Sequence, residues 1–140
     1  MNVLVIENDA VLADLAVSLI NGWGYKGEKC VCAKEALKLC GSKVFDLVLL
    51  EALLPDMEAD EFISHLKKLC PRAGVVVMTA RNTRELEKRI RGKGVLYYMV
   101  RPFEADNLRA LLEHVSARHG GEIRYEAKRN GSNFVFTLPR

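Results

Sequence analysis

The chain has 140 residues and a net charge of +3, with 49% hydrophobic and 28% charged residues and a mean hydropathy of 0.00. That length suits one domain with a full core, and so small a positive excess does not point to nucleic acid. No apolar run reaches the ~20 residues that span a bilayer, and "MNVLVIEND" turns acidic too soon for a signal peptide, so a cytoplasmic location without membrane contact is expected.

"NVLVI" (2–6) is a short β-branched run and predicts a strand. "NDAVLADLAVSLING" follows, with Val11, Leu12, Leu15, Ala16, Leu19 and Ile20 at helical spacing, Asp9 as N-cap and Gly22 closing the C-terminus. "YKGEKCV" predicts a second strand and "AKEALKLCG" a helix ending at Gly41. "FDLVLL" is a third strand whose Val48, Leu49 and Leu50 are apolar without alternation, the mark of a strand covered on both faces. Residues 59–69 form a helix with Phe62, Ile63, Leu66 and Leu69 as its stripe, stopped by Pro71. "GVVVMTA" is a fourth strand, and "RNTRELEKRIRGKG" a basic helix ended by Gly92 and Gly94. "VLYYMV" is a fifth strand, and "EADNLRALLEHVSARHG" a fifth helix carrying Leu108, Leu111, Leu112 and Val115.

Five strands alternating with five helices imply right-handed crossovers and a doubly wound five-stranded parallel α/β sheet over residues 1–118. The last segment breaks the rhythm. Ile123, Tyr125 and Ala127, then Asn130-Gly131, then Phe134, Phe136 and Leu138 predict a C-terminal β-hairpin in 119–140. A lone hairpin is marginal in water, so it is expected to dock on a sheet edge, a helix or a second subunit.

Cys30, Cys32, Cys40 and Cys70 have no metal-ligand spacing, and Cys30 and Cys32 would share a face if both lay on a strand. They are expected to be reduced and partly buried. His65, His114 and His119 are scattered and read as helix-surface residues.

In a doubly wound sheet the strand carboxyl ends meet on one rim. Arriving there are Glu7, Asn8 and Asp9 after strand 1, Glu51 after strand 3, Thr79 after strand 4, and Arg101-Pro102 after strand 5. Together with "DLVLLEALLPDM", "VVVMTA" and "YYMVRPF", these residues resemble the receiver domain of two-component response regulators over nearly all of 2–118. The resemblance implies a flavodoxin-like sheet of order 2-1-3-4-5 and a place in signal transduction or a phosphorelay. In that family an Asp after strand 3 takes a phosphoryl group, two acidic residues after strand 1 help it hold Mg²⁺, a Ser or Thr after strand 4 bonds the phosphoryl group, and a Lys after strand 5 pairs with it.

Most of that set is replaced here. Glu51 stands for the Asp and reaches roughly an ångström further, in a site where such a misplacement costs on the order of 100-fold. Asn8 offers an amide where the family offers a carboxylate, a poorer partner for Mg²⁺. Arg101 exchanges a point charge for a fork that suits a carboxylate. Thr79 alone matches, and Ala59 stands where a Gly is usual. These changes predict a degenerate site of Glu51, Glu7, Asn8, Asp9, Thr79 and Arg101, closed by a Glu51–Arg101 ion pair, with no metal, cofactor or catalytic residue.

Residues 81–101 are basic, and the resemblance makes the fourth helix part of an output surface. Arg84, Lys88, Arg89 and Arg91, with Tyr98 at the switch position, are its candidate residues, facing an acidic partner such as a histidine kinase or downstream effector. Nucleic acid would need more clustered charge and stacking aromatics and is not expected. "RHGGEIRYEAKRNGSNFVFTLP" also resembles the closing hairpin of histidine-kinase ATP-binding domains, through His119, Gly120, Gly121, Gly131, Phe134, Phe136, Thr137, Leu138 and Pro139. The nucleotide-binding segments of such kinases are absent, so the hairpin is a candidate packing or homodimer element.

The expectation is an atypical pseudo-receiver, not an enzyme, acting by phosphorylation-independent protein–protein contact, with no effector domain appended because the chain ends at Arg140. Other readings stay open: a phosphorylatable receiver using Asp9 or another rim carboxylate, a structural module self-associating through the hairpin, or sensing through Cys30 and Cys32.

Overall fold

Leu47–Glu51 is a strand in which every residue is buried, as a run of apolar side chains without alternation requires. The computed structural model describes residues 1–101, 104–119 and 134–136. In chain order these form β1 (Asn2–Ile6), α1 (Ala10–Gly22), β2 (Lys26–Cys30), α2 (Ala33–Ser42), β3 (Leu47–Glu51), α3 (Ala59–Leu69), β4 (Gly74–Thr79), α4 (Arg84–Arg91), β5 (Tyr97–Val100), α5 (Ala105–His119) and β6 (Phe134–Phe136). The first five strands are parallel in the order β2-β1-β3-β4-β5, the flavodoxin-like arrangement.

Successive side chains of a strand face opposite ways, so β3 feeds two cores. Val48 and Leu50, with Leu4, Ile6, Val75, Val77 and Tyr98, pack against Ala36 and Cys40 of α2, Phe62, Ile63 and Leu66 of α3, and Ile90 of α4. Leu47 and Leu49, with Val3, Val5, Val76, Tyr97 and Met99, pack against Ile20 of α1 and Leu108, Leu111, Leu112 and Val115 of α5. Each fully buried Leu or Ile stabilises the fold by about 1.5–3 kcal/mol relative to an exposed one.

α1 departs from its expected stripe. Ile20 enters the core with Ala16 and Val17 packed against it, and Ala13 is buried, while Val11, Leu12 and Leu15 stay 76%, 39% and 55% exposed. Asp9 caps it as expected, its Oδ1 accepting the N–H groups of Val11 at 3.0 Å and Leu12 at 3.2 Å. Gly22 is the last helical residue, and the left-handed turn falls two residues later at Gly24, φ 96°. Likewise the residue after α4 with positive φ is Gly94, at 78°.

β6 pairs antiparallel with β5, Tyr97 opposite Phe136 and Met99 opposite Phe134, so this part of the tail lies on the sheet edge. The other expected hairpin strand, with Ile123, Tyr125 and Ala127, the Asn130-Gly131 turn, and Pro102-Phe103 lie outside the described residues. No described helix is long and apolar enough to cross a membrane.

Candidate functional site: the acidic rim and its arginine

Glu7, Glu51, Thr79 and Arg101 meet at the carboxyl rim because β1, β3, β4 and β5 are adjacent and end level. The Arg101 N–H donates to the Thr79 carbonyl at 2.7 Å, continuing the β4–β5 ladder past the strands and fixing where the guanidinium starts. Its side chain then runs back beneath the rim, its Nη2 reaching Met78 Sδ at 3.8 Å.

The guanidinium chooses Glu7. Arg101 Nη2 donates to Glu7 Oε1 at 2.7 Å, whereas Arg101 Nε lies 4.0 Å from Glu51 Oε2. The expected Glu51–Arg101 ion pair is therefore present at 4.0 Å, but the fork's hydrogen bond goes to the strand-1 carboxylate, a partner the sequence did not single out. The other Glu7 oxygen, Oε2, accepts the Asp9 N–H at 3.2 Å, so both oxygens of this 3%-exposed carboxylate have donors. Glu51 is 8% exposed and its Oε2 has no hydrogen-bond partner.

The energetics follow from that imbalance. Burial pushes the Glu51 carboxyl up, Arg101 opposes this, Glu7 adds to it, and the backbone N–H groups of Leu53 and Ala52 pull it back, leaving it at about 7 against a usual 4.5. Two buried acids share one cation, and the less well bonded one holds its proton near neutrality.

The remaining rim residues are not aimed inward. Thr79 Oγ1 donates to the Arg81 carbonyl at 2.9 Å and accepts the Arg81 N–H at 3.0 Å. Asn8 is exposed, and Asp9 is exposed and occupied as the α1 cap. A divalent cation fits this donor set poorly: the guanidinium occupies Glu7 Oε1, the Asp9 N–H bonds Oε2, and Asn8 is an exposed amide. Among the described residues no group of three His, Cys, Asp or Glu side chains is arranged to hold a metal.

On α4, Arg84, Lys88 and Arg89 are exposed. Arg91 is half-buried, its Nε donates to Glu87 Oε2 at 2.7 Å, and its guanidinium lies 6.0 Å from the centre of the Tyr98 ring. Tyr98 itself is fully buried, its hydroxyl donating to Asn82 Oδ1 at 3.0 Å. Burial, with Glu87 adding and Arg91 opposing, pushes that phenol up to about 12.

Asp56 is the residue that sequence reasoning passed over. Its two oxygens accept the N–H groups of Ala33 and Lys34, each at 2.9 Å, capping α2 from the loop after β3. The cap residue of α2, Cys32, makes no such bond of its own. These N–H donors hold the Asp56 carboxyl below its usual 3.8. The only sequence signal was an acid in a Pro-Asp turn, with nothing to name a helix 22 residues away.

The histidines divide. His65 is exposed, 3.8 Å from Glu61 one turn earlier, while His114 is half-buried with its ring edge-on to Tyr97 at 6.2 Å; the side chain of His119 lies outside the described residues. The four cysteines are free thiols, and Cys32 lies past the end of β2, so it and Cys30 do not share a strand face.

Residues 3–113 match the family described as the response regulator receiver domain. Among curated relatives, the transcriptional regulatory protein ZraR of Escherichia coli O157:H7 is 31% identical over 117 residues, covering 84% of this chain and 26% of that one. The transcriptional regulatory protein PmrA of Pectobacterium parmentieri is 29% identical over 123 residues, covering 86% of this chain and 54% of that one. The chain thus spans about a quarter of ZraR and about half of PmrA. These names do not fit the expectation that nucleic acid plays no part. Among solved structures, a CheY-like receiver domain protein from Methanospirillum hungatei JF-1 superposes with a TM-score of 0.79 at 24% identity, covering 85% and 96% of the two chains. A two-component response regulator from Clostridium difficile does so with a TM-score of 0.82 at 19% identity, covering 86% and 99%.

Proposed function

This chain belongs to the response regulator receiver family, whose members interact with histidine kinases and effectors, and from that premise we propose that it signals without phosphoryl transfer. The reading makes it a pseudo-receiver in the cytoplasm: not an enzyme, and switched by binding, not by an aspartyl phosphate. The observation that carries it is the bond from Arg101 Nη2 to Glu7 Oε1, with Glu51 buried beside it. A guanidinium held by a saturated carboxylate takes the place where the chemistry needs a cation and a phosphate. Asp9 is a poor substitute acceptor, because the Oδ1 of its carboxylate already serves the first turn of α1. Nor does Glu51 imitate a phosphorylated acid at neutral pH, since a carboxyl that titrates at about 7 is only partly charged there.

Incubation with Mg²⁺ and acetyl phosphate should leave the intact mass unchanged. A base-labile, acid-stable phosphoryl adduct on any rim carboxylate overturns the proposal.

The contact surface in this reading is the exposed basic part of α4, Arg84, Lys88 and Arg89, facing an acidic protein partner. Arg91 is left out because Glu87 and the Tyr98 ring engage it. A variant with the three residues reversed to Glu should lose whatever acidic protein the unaltered chain retains from its native cells. Undiminished recovery by that variant removes α4 from the interface.

A further inference from the structure

Two of the four cysteines are neighbours across α2 and α3. Cys40 lies in α2 and is 5% exposed, and Cys70 is the half-buried residue that closes α3. The Cys70 thiol donates to the Cys40 carbonyl oxygen at 3.3 Å, which brings the two cysteines of α2 and α3 side by side. To reach the ~2 Å of a disulfide bond, the Cys70 thiol has to turn from the Cys40 carbonyl to the Cys40 sulfur. Cys30 and Cys32 are placed less favourably: Cys30 is buried at the end of β2, and among the described residues no hydrogen bond ties its side chain to Cys32, which lies past the strand.

We propose that Cys40 and Cys70 form a reversible peroxide-responsive dithiol, which closes to a disulfide and staples α2 to α3. The order of events follows from access. Burial, with the neighbouring Cys70 adding to it, pushes the Cys40 thiol up to about 12, which makes Cys40 the resolving partner and not the first nucleophile. Cys70 is the less buried of the two residues, and the last turn of its helix carries Lys67 and Lys68. Its thiolate attacks one oxygen of hydrogen peroxide, the O–O bond breaks, and hydroxide leaves, giving the sulfenic acid. Cys40 then attacks that sulfur as its proton is lost; the S–S bond forms, the S–O bond breaks, and the oxygen leaves as water. One peroxide is reduced to two waters and two thiols are oxidised to one disulfide.

The test is peroxide treatment of the full chain in thiol-free buffer, followed by non-reducing digestion and mass spectrometry. A peptide linking Cys40 to Cys70 should appear, the intact mass should fall by two hydrogen atoms, and dithiothreitol should reverse both changes. Cys30 and Cys32 should stay open to alkylation after unfolding. The Cys40→Ser variant should instead gain oxygen at Cys70, and the Cys30→Ser/Cys32→Ser double variant should still form the linkage. Recovery of Cys40 and Cys70 as unlinked thiols, a Cys30–Cys32 linkage, or a purely intermolecular bond overturns the proposal.

Discussion

Glu51 has one more methylene than an aspartate at the end of β3, and its place in the molecule turns on that group and on which acid Arg101 prefers. In the unfolded chain it titrates near 4.5 and in the folded one at about 7. Below the lower value both states hold the proton and nothing is lost. Between the two values only the folded state holds it, so stability falls as pH rises, by on the order of 3 kcal/mol once both have ionised. Glu51→Gln keeps the shape and removes the titration. Thermal midpoints measured from pH 4 to pH 8 should be similar for the two proteins at the acid end and higher for the variant at pH 8; parallel curves would refute the assignment. The sequence displayed the acids and the arginine that meet here, and the Glu51–Arg101 pair, but not the hydrogen bond to Glu7. Glu7 and Glu51 end neighbouring strands, and the preference for Glu7 comes from the Asp9 N–H that orients its other oxygen, a detail of one turn of backbone.

Elements were legible where their residues are held locally. β3 and β4 declare themselves by unbroken apolar runs, and α1 by its Asp9 cap. The face of α1 was only partly legible: Ala16 and Ile20 of the expected stripe reach the core, but periodicity counts apolar positions and did not show that Val11, Leu12 and Leu15 stay exposed. The α2 terminus was hidden in another way, because its capping carboxylate comes from Asp56, beyond β3. Asp56→Ala should lower stability by about 1 kcal/mol in urea denaturation at pH 7, the usual worth of a helix cap, with Asp56→Asn losing less. Since the folded-state carboxyl lies below its usual 3.8, this contribution is full above that value and fades as pH falls through the lower, folded one. A deficit of the Ala variant that persists unchanged into strong acid would show that the charge is not what α2 uses.

For the whole molecule, the doubly wound order was readable from alternation alone, since parallel strands joined by helices leave few arrangements. What alternation could not show is the sixth strand. β6 covers the outer edge of β5, which otherwise presents a row of open backbone donors and acceptors. Ending the chain after His119 should uncover that edge, and sedimentation velocity should then show more self-association than the full-length protein displays. Less association after truncation would mean instead that the tail is the adhesive element.

The bond between Glu7 and Arg101 spans 94 positions of the chain. During synthesis Glu7 is made long before Arg101, and until then a collapsing chain has two rim carboxyls to bury without the guanidinium that meets them in the finished fold. Closing the rim is thus a long-range event, one that waits on the last of the five parallel strands.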